Sequence, residues 1–112
     1  MWLVDGNNVM GSRPDGWWRD RAGAMQRLIN ELDDLAAATG EDVTVVFDGR
    51  ERDLQAVTVT VDFAPHADDR LADAAGAGVV LFTSDRELAQ RARQRGATVE
   101  GAGRLLARLG RL

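Results

Sequence analysis

The sequence predicts an α/β fold in which a central, mainly parallel sheet carries helices on both faces. Short apolar segments alternate with longer amphipathic segments along the whole chain, as expected of successive strand and helix units. Three of the apolar segments run directly into turn-forming residues that include an aspartate, so their ends are well marked. The 112 residues are predicted to form one domain, residues 1–112, because a single core usually spans about 100 to 150 residues.

The first third of the chain is predicted to contain a strand, a loop and a long helix. Residues 2–4 are apolar and are stopped by Asp5-Gly6-Asn7-Asn8, which indicates a buried strand followed by a turn. Residues 11–16 hold two glycines and a proline and are interpreted as a loop. From residue 17 to residue 39 the apolar positions follow the helical period, with Trp18 on the apolar stripe and Gly40 as the stop.

The rest of the chain continues the alternation. Residues 43–47 and 79–82 are apolar runs that indicate buried strands. Residues 57–62 alternate strictly between valine and polar residues, which predicts a strand with one wetted face at an edge of the sheet. Helices are predicted at residues 66–75, 84–95 and 102–109, with a brief strand at residues 98–99.

Composition excludes several classes of protein. There is no cysteine, so disulfide frameworks and thiolate zinc sites are excluded, and without a visible secretory signal the cytoplasm is favoured. No apolar run approaches the roughly 20 residues of a membrane-spanning helix. All 14 basic residues are arginine, which excludes Schiff-base and P-loop lysine chemistry. The net charge of -4 means that any contact with nucleic acid must be local or made through metal.

Four aspartates are predicted to meet at one edge of the sheet. Asp5, Asp48 and Asp85 follow buried strands, whose carboxyl ends share an edge, and Asp68 lies in the first turn of a helix facing it. Carboxylates gathered this closely repel one another, and bound Mg²⁺ or Mn²⁺ relieves the repulsion. Such an ion can hold a phosphodiester and lower the pKa of an attacking water. All four aspartates are therefore predicted to be metal ligands and catalytic residues.

Each aspartate also has a purely structural explanation. Ser84 and Glu87 match a capping box, and Asp85 would then only complement the helix macrodipole. Asp68 fits the same description at its own helix start, and Asp48-Gly49 is common turn chemistry. The convergence of all four on one edge is what favours the metal site.

Four short motifs carry a resemblance to a known family. They are Asp5-Gly6-Asn7-Asn8, Val46-Phe47-Asp48, Ala67-Asp68-Asp69-Arg70-Leu71 and Thr83-Ser84-Asp85. In this order they resemble the NYN domains, in the YacP-like branch of the PIN-like superfamily. The resemblance implies a PIN-like three-layer α/β/α sandwich and divalent-metal hydrolysis of RNA, as an endoribonuclease. Two departures are Asn7, where relatives often have an aromatic residue, and the lack of the C-terminal extension of longer relatives.

Substrate contacts are predicted beside the four aspartates. The resemblance implies that Asn8 orients a carboxylate or a water there, and that Ser84 forms a hydrogen bond at the same place. Arg13, Arg50 and Arg86 lie in loops or first turns near this edge, where guanidinium groups bind phosphates well. The alternative for each arginine is a solvated surface position.

RNA is the expected partner, no membrane contact is expected, and a homodimer or another protein partner is left open. Two other functions remain open: a non-catalytic RNA-binding or scaffolding module of the same fold, and a toxin-type PIN ribonuclease with a protein inhibitor. A phosphatase or phospho-receiver is disfavoured, because the receiver's lysine is absent and no Asp-x-Asp follows the first strand.

Overall fold

The computed structural model describes all residues 1–112 and contains one five-stranded sheet in the order β3-β2-β1-β4-β5. The strands are β1 Trp2–Asp5, β2 Val43–Asp48, β3 Thr60–Ala64, β4 Val80–Phe82 and β5 Thr98–Glu100. The helices are α1 Gly6–Gly11, α2 Arg21–Thr39, α3 Ala67–Ala74, α4 Arg86–Gln94 and α5 Ala102–Leu109, with a 3₁₀ turn at Trp17–Arg19. Every pair of neighbouring strands is parallel. None of the helices combines the length and apolar character needed to cross a bilayer.

The sheet has a separate apolar core on each face. Successive side chains of a strand point to opposite faces, and accordingly Val4 and Phe82 join one buried cluster while Leu3 and Leu81 join the other. The first cluster includes residues of α1, α2 and α5, and the second includes residues of α3 and α4. The predicted α/β/α sandwich with helices on both faces is therefore confirmed.

The strand order places a topological switch at the centre of the sheet. The chain adds β2 and β3 on one side of β1 and then crosses to the other side, where β4 pairs directly with β1. In open parallel sheets, ligands bind in the crevice outside the carboxyl ends of the strands at such a switch. This crevice lies where β1 ends at Asp5 and β4 runs into Thr83.

The edge strand begins later than its alternating pattern predicts. β3 lies at the sheet edge as expected, but it starts at Thr60. The backbone N–H groups of the three preceding residues, 57–59, instead donate to the carboxylate of Asp33 in α2, at 2.9 Å each. Burial alone would raise the pKa of Asp33, but these three donors outweigh it and lower the pKa. A buried carboxylate therefore fixes the route of the chain into β3.

Two sequence predictions about the long helix are wrong. The long helix begins at Arg21, because the side chain of Asp20 caps it by accepting from the N–H of Gly23. Trp18 precedes that cap in the 3₁₀ turn and is 57% exposed, whereas Trp17 packs against the core. Because the helix starts after Trp18, this residue does not lie on the apolar stripe where periodicity placed it.

The segment after β1 forms the short helix α1, although the sequence predicts a turn there. Gly6 makes this possible, because a Cβ at that position would lie 2.5 Å from Cδ1 of Phe47 and 2.9 Å from the carbonyl oxygen of Val46. Only glycine allows the start of α1 to pack this closely on β2. The close approach brings Asn7 and Asn8 to the carboxyl ends of the strands.

We expect Asp33→Ala to lower the free energy of unfolding by about 2 kcal/mol or more at neutral pH, because three backbone donors lose a charged acceptor. The pKa of Asp33 is lowered in the folded state, so its contribution is complete above the unfolded value of 3.8 and is lost as the pH falls through the folded pKa. Urea denaturation across the acid range measures both effects. Asp34→Ala, at the exposed neighbouring position, is the control. Equal stability of the two variants would contradict the role of Asp33.

Candidate functional site

A concavity of about 560 Å³ opens at the carboxyl end of the sheet, next to the switch between β1 and β4. The structure brings all four predicted aspartates to it and places no arginine in its lining. We call this the acidic concavity, and its lining residues are Asp5, Asn7, Asn8, Asp48, Pro65, His66, Asp68 and Asp85. Four carboxylates thus share one small space without a guanidinium group among them.

Asp5 is the deepest of the four carboxylates, at 8% exposure. Its Oδ2 accepts a hydrogen bond from the hydroxyl of Thr83 at 2.8 Å, and the backbone N–H of Asn8 also donates to the carboxylate. Burial raises the pKa of Asp5 by more than these two donors lower it, and the negative charges of Asp48 and Asp85 raise it further. Ionisation of Asp5 is therefore less favourable in the folded protein than in water.

Asp48 and Asp85 each use one oxygen atom to hold the start of a helix. Oδ1 of Asp48 accepts from the N–H of Ala67 at 2.8 Å, at the start of α3. Oδ1 of Asp85 accepts from the N–H groups of Glu87 and Leu88 at 3.0 and 3.1 Å, so Asp85 itself is the N-cap of α4. In both residues Oδ2 has no protein donor and is available to the acidic concavity. Each of these aspartates can therefore hold the start of a helix with one oxygen atom while the other oxygen atom stays available to a ligand.

The capping box predicted for Ser84 and Glu87 is wrong, because Asp85 is the capping residue. The hydroxyl of Ser84 instead accepts from the N–H of Ala102 at 2.9 Å, at the start of α5. Ser84 therefore connects two chain segments at the edge of the site, and its hydroxyl oxygen is not bonded to an aspartate.

Two asparagines of α1 tie the strand ends together. Oδ1 of Asn7 accepts from the N–H of Asp48 at 2.8 Å, and Oδ1 of Asn8 accepts from the N–H of Ser84 at 2.8 Å. Because α1 follows β1 directly, these bonds connect the ends of β1, β2 and β4. Sequence reasoning gave Asn7 no structural role and missed the bond of Thr83 to Asp5. The only signal for Thr83 was a polar residue at the end of a buried strand.

Asp68 is the least anchored of the four. Its side chain is 56% exposed, and its Oδ2 lies 3.9 Å from the guanidinium of Arg91. Arg91 pairs more closely with the neighbouring Asp69, at 2.9 Å. Asp68 therefore lies at the outer margin of the acidic concavity and can change rotamer at little cost.

None of the three predicted substrate-binding arginines lines the acidic concavity. Arg13 forms a two-pronged, partly buried ion pair with Glu31, with N–O distances of 2.6 and 2.8 Å, so its guanidinium is already used. Arg50 is exposed in the segment after β2. Arg86 lines a separate cleft that adjoins the concavity. The prediction failed for Arg13 because its partner is 18 residues away in sequence.

The side chains, as they stand, include no group of three or more acidic or histidine residues arranged to hold one ion. Mg²⁺ is usually bound through one or two carboxylates, with water at its remaining positions. Free carboxylate oxygens, buried Asp5 and a lining without arginine fit a hard divalent ion held in this way. The full set of four aspartate ligands stays a prediction.

Comparisons with known proteins give one family and one set of structural neighbours. Residues 2–112 match the family model described as the YacP-like NYN domain. A crystal structure of Rae1 (YacP) from Bacillus subtilis is similar with a TM-score of 0.81 and 27% identity, covering 98% of this chain and 73% of that one. A single-residue mutant of the same protein gives a TM-score of 0.83 and 26% identity, covering 97% and 74%. No curated protein gives a significant sequence match.

The raised pKa of Asp5 predicts a specific pH dependence, measured in EDTA against Asp5→Asn. Between the unfolded value of 3.8 and the raised folded pKa, the native state binds more protons than the unfolded state. The unfolding free energy of the wild type relative to the variant should therefore fall as the pH rises through this window and level off above it. Urea denaturation at a series of pH values measures the difference. A difference that is constant, or that grows with pH, would contradict the assigned environment of Asp5.

Proposed function

Because the chain belongs to the YacP-like NYN domain family, a nuclease-like and RNA-related family, we propose that it is a ribonuclease that hydrolyses phosphodiester bonds of RNA with bound Mg²⁺ or Mn²⁺. The observation that carries the proposal is the acidic concavity, where four aspartates converge and no arginine is present. Family membership supports RNA as the substrate class, and the concavity supports metal-dependent hydrolysis as the reaction.

Electrostatics supports the need for a cation. RNA carries one negative charge per phosphate and is repelled by a group of carboxylates. Asp5 is buried and has a raised pKa, so the protein alone does not compensate its charge. A divalent ion at this place removes both difficulties, since it stabilises the carboxylates and attracts a phosphate.

Asp5, Asp48 and Asp85 are the residues that would hold the ion, with Asp68 at the margin. When bound there, Mg²⁺ or Mn²⁺ would polarise the phosphodiester and lower the pKa of an attacking water. The chain's own contribution is to hold the carboxylates before substrate arrives. Thr83 fixes Asp5, the start of α3 fixes Asp48 and the start of α4 fixes Asp85. Such preorganisation reduces the reorganisation that catalysis would otherwise require.

Asn8 is suited to a second role in the same concavity. Its side-chain oxygen is used by the N–H of Ser84, which fixes the orientation of the amide. The NH₂ group of Asn8 is then left to donate to a phosphate oxygen or to the attacking water. Such a donor complements the ionised carboxylates around it, which can only accept hydrogen bonds.

Non-catalytic RNA binding is the second candidate function. It is favoured by one observation, the lack of three side chains already arranged around one ion position. Metal binding and cleavage decide between the two candidates, so we test each separately.

Metal binding is tested by calorimetric titration of Mn²⁺ into the wild type, Asp5→Asn and Asp34→Asn. We expect binding by the wild type and by Asp34→Asn, which removes the same charge at an exposed position of α2. We expect affinity to fall at least 10-fold in Asp5→Asn, because a buried ligand is lost. Equal affinity in all three proteins would place the metal elsewhere.

Cleavage is tested with two substitutions of Asp85 that separate its two roles. Asparagine is as good an N-cap as aspartate, so Asp85→Asn should keep the stability of α4 and lose at least about 100-fold in cleavage of a labelled RNA. Asp85→Ala should lose the same activity and, in addition, about 1 kcal/mol of stability. Wild-type rates in folded Asp85→Asn would leave capping as the only role of Asp85.

A further inference from the structure

A second cleft, of about 570 Å³, adjoins the acidic concavity and shares Asp85 with it. We call it the arginine cleft, and the residues that matter here are Arg86, Gln90 and Arg93 of α4, with Ala89 and Val99. We propose that the arginine cleft binds the nucleotide next to the scissile phosphate of single-stranded RNA. In this arrangement Arg86 and Arg93 contact phosphates and Gln90 contacts the base. The inference rests on the proposed function, since it assumes that the adjoining concavity holds the scissile phosphate.

The first support is the state of the two arginines. Three guanidinium groups near the strand ends are paired: Arg13 with Glu31, Arg70 with Asp62 and Arg91 with Asp69. Arg86 and Arg93 have no carboxylate within 4.0 Å, although the chain carries a net charge of -4. Two unpaired guanidinium groups lining one cleft are therefore available to an anion, and guanidinium binds phosphate oxygens in a two-pronged geometry.

The second support is their spacing on α4. Residues 86, 90 and 93 are four and three positions apart, so their side chains lie on one face of the helix. At 1.5 Å per residue the row is about 10 Å long. It begins beside Asp85, which caps α4 at the acidic concavity, and leads away along the helix. A strand that leaves the concavity in this direction meets Arg86, then Gln90 and then Arg93.

The third support is the chemistry of the cleft between the arginines. Ala89 is buried, Val99 is half-buried, and both line the cleft, so it has an apolar part against which the flat face of a base can pack. The Gln90 amide supplies both a donor and an acceptor, as the edge of a base requires. Only an unpaired nucleotide presents that face and edge together, because stacking and pairing cover them in a duplex. This combination favours single-stranded RNA.

The contrast between the two neighbouring cavities also explains how an acidic protein can bind a polyanion. The acidic concavity repels any phosphate that lacks a bound cation, so flanking phosphates need another place. The arginine cleft provides it immediately beside the scissile position. Binding is then local, as the negative net charge requires.

The test is fluorescence anisotropy with a short, labelled single-stranded RNA in EDTA, where metal-dependent cleavage does not occur. Arg86→Gln and Arg93→Gln should each weaken binding by roughly 5- to 10-fold. Each should also reduce the slope of log affinity against log salt by about 0.7, the value for one phosphate contact on a single strand. Gln90→Ala should weaken binding without changing the slope, because it removes a contact to a base. The control is Arg111→Gln, an exposed and unpaired arginine beyond the end of α5, which should behave as wild type.

Two results would overturn the inference: no binding of RNA by the wild type in EDTA, or equal affinities for Arg86→Gln, Arg93→Gln and the control. Equal competition by duplex RNA would overturn the assignment to single strands. Cleavage in Mn²⁺ is measured separately, so the two proposals fail independently. Arginine-dependent binding without cleavage would retain the cleft and refute hydrolysis. Cleavage with unchanged affinity in both arginine variants would refute the cleft and retain hydrolysis.

Discussion

Repulsion between carboxylates at the carboxyl end of one parallel sheet is the constraint on which the rest of this structure depends. Four aspartates line the acidic concavity, and Asp5 is nearly out of contact with water. The protein offsets part of the repulsion with neutral donors: the hydroxyl of Thr83 for Asp5, and helix-start N–H groups for Asp48 and Asp85. The offset is incomplete, because burial, and to a smaller extent the charges of Asp48 and Asp85, keep the pKa of Asp5 raised. This arrangement supports the proposal that the acidic concavity binds a divalent cation.

The short helix α1 is the element that makes the arrangement rigid. Gly6 allows α1 to pack against β2 at a distance that no other residue tolerates. Asn7 and Asn8 then bind the backbone at the ends of β2 and β4. Three strands that are distant in sequence are thereby joined at their carboxyl ends, next to the aspartates of the acidic concavity. The polar residues after β1 thus hold the framework as well as line the concavity.

Positive and negative side chains are largely separated into two neighbouring cavities of this protein. The acidic concavity has no arginine, while the adjoining arginine cleft has two that are unpaired. Three other arginines near the strand ends form ion pairs, such as that of Arg13 with Glu31. A net negative charge is therefore compatible with an RNA-related family, because two free guanidinium groups lie together beside the acidic concavity.

The sequence by itself determined the layers of the fold and the convergence of four aspartates at one edge of the sheet. Strand length, helical period and the residues that end each strand are local properties, and Asp5, Asp48 and Asp85 lie at strand ends. Parallel pairing then brings those ends together without further information. The last helix, residues 102–109, was predicted with its observed bounds for the same reason.

Only the tertiary structure decided which polar groups already have a hydrogen-bond or ion-pair partner within the protein. Asp33 accepts hydrogen bonds from the N–H groups of residues 57–59, which lie outside the sheet. Glu31 forms an ion pair with Arg13, and Ser84 accepts a hydrogen bond from the N–H at the start of α5. The partners in these contacts lie about 18 to 26 residues apart, so no local pattern records them. The start of α2, and with it the exposure of Trp18, depended on a single cap at Asp20. Hydrogen-bond and ion-pair partners depend on which residues lie close together in the folded chain, and the periodicity of a sequence does not contain that information.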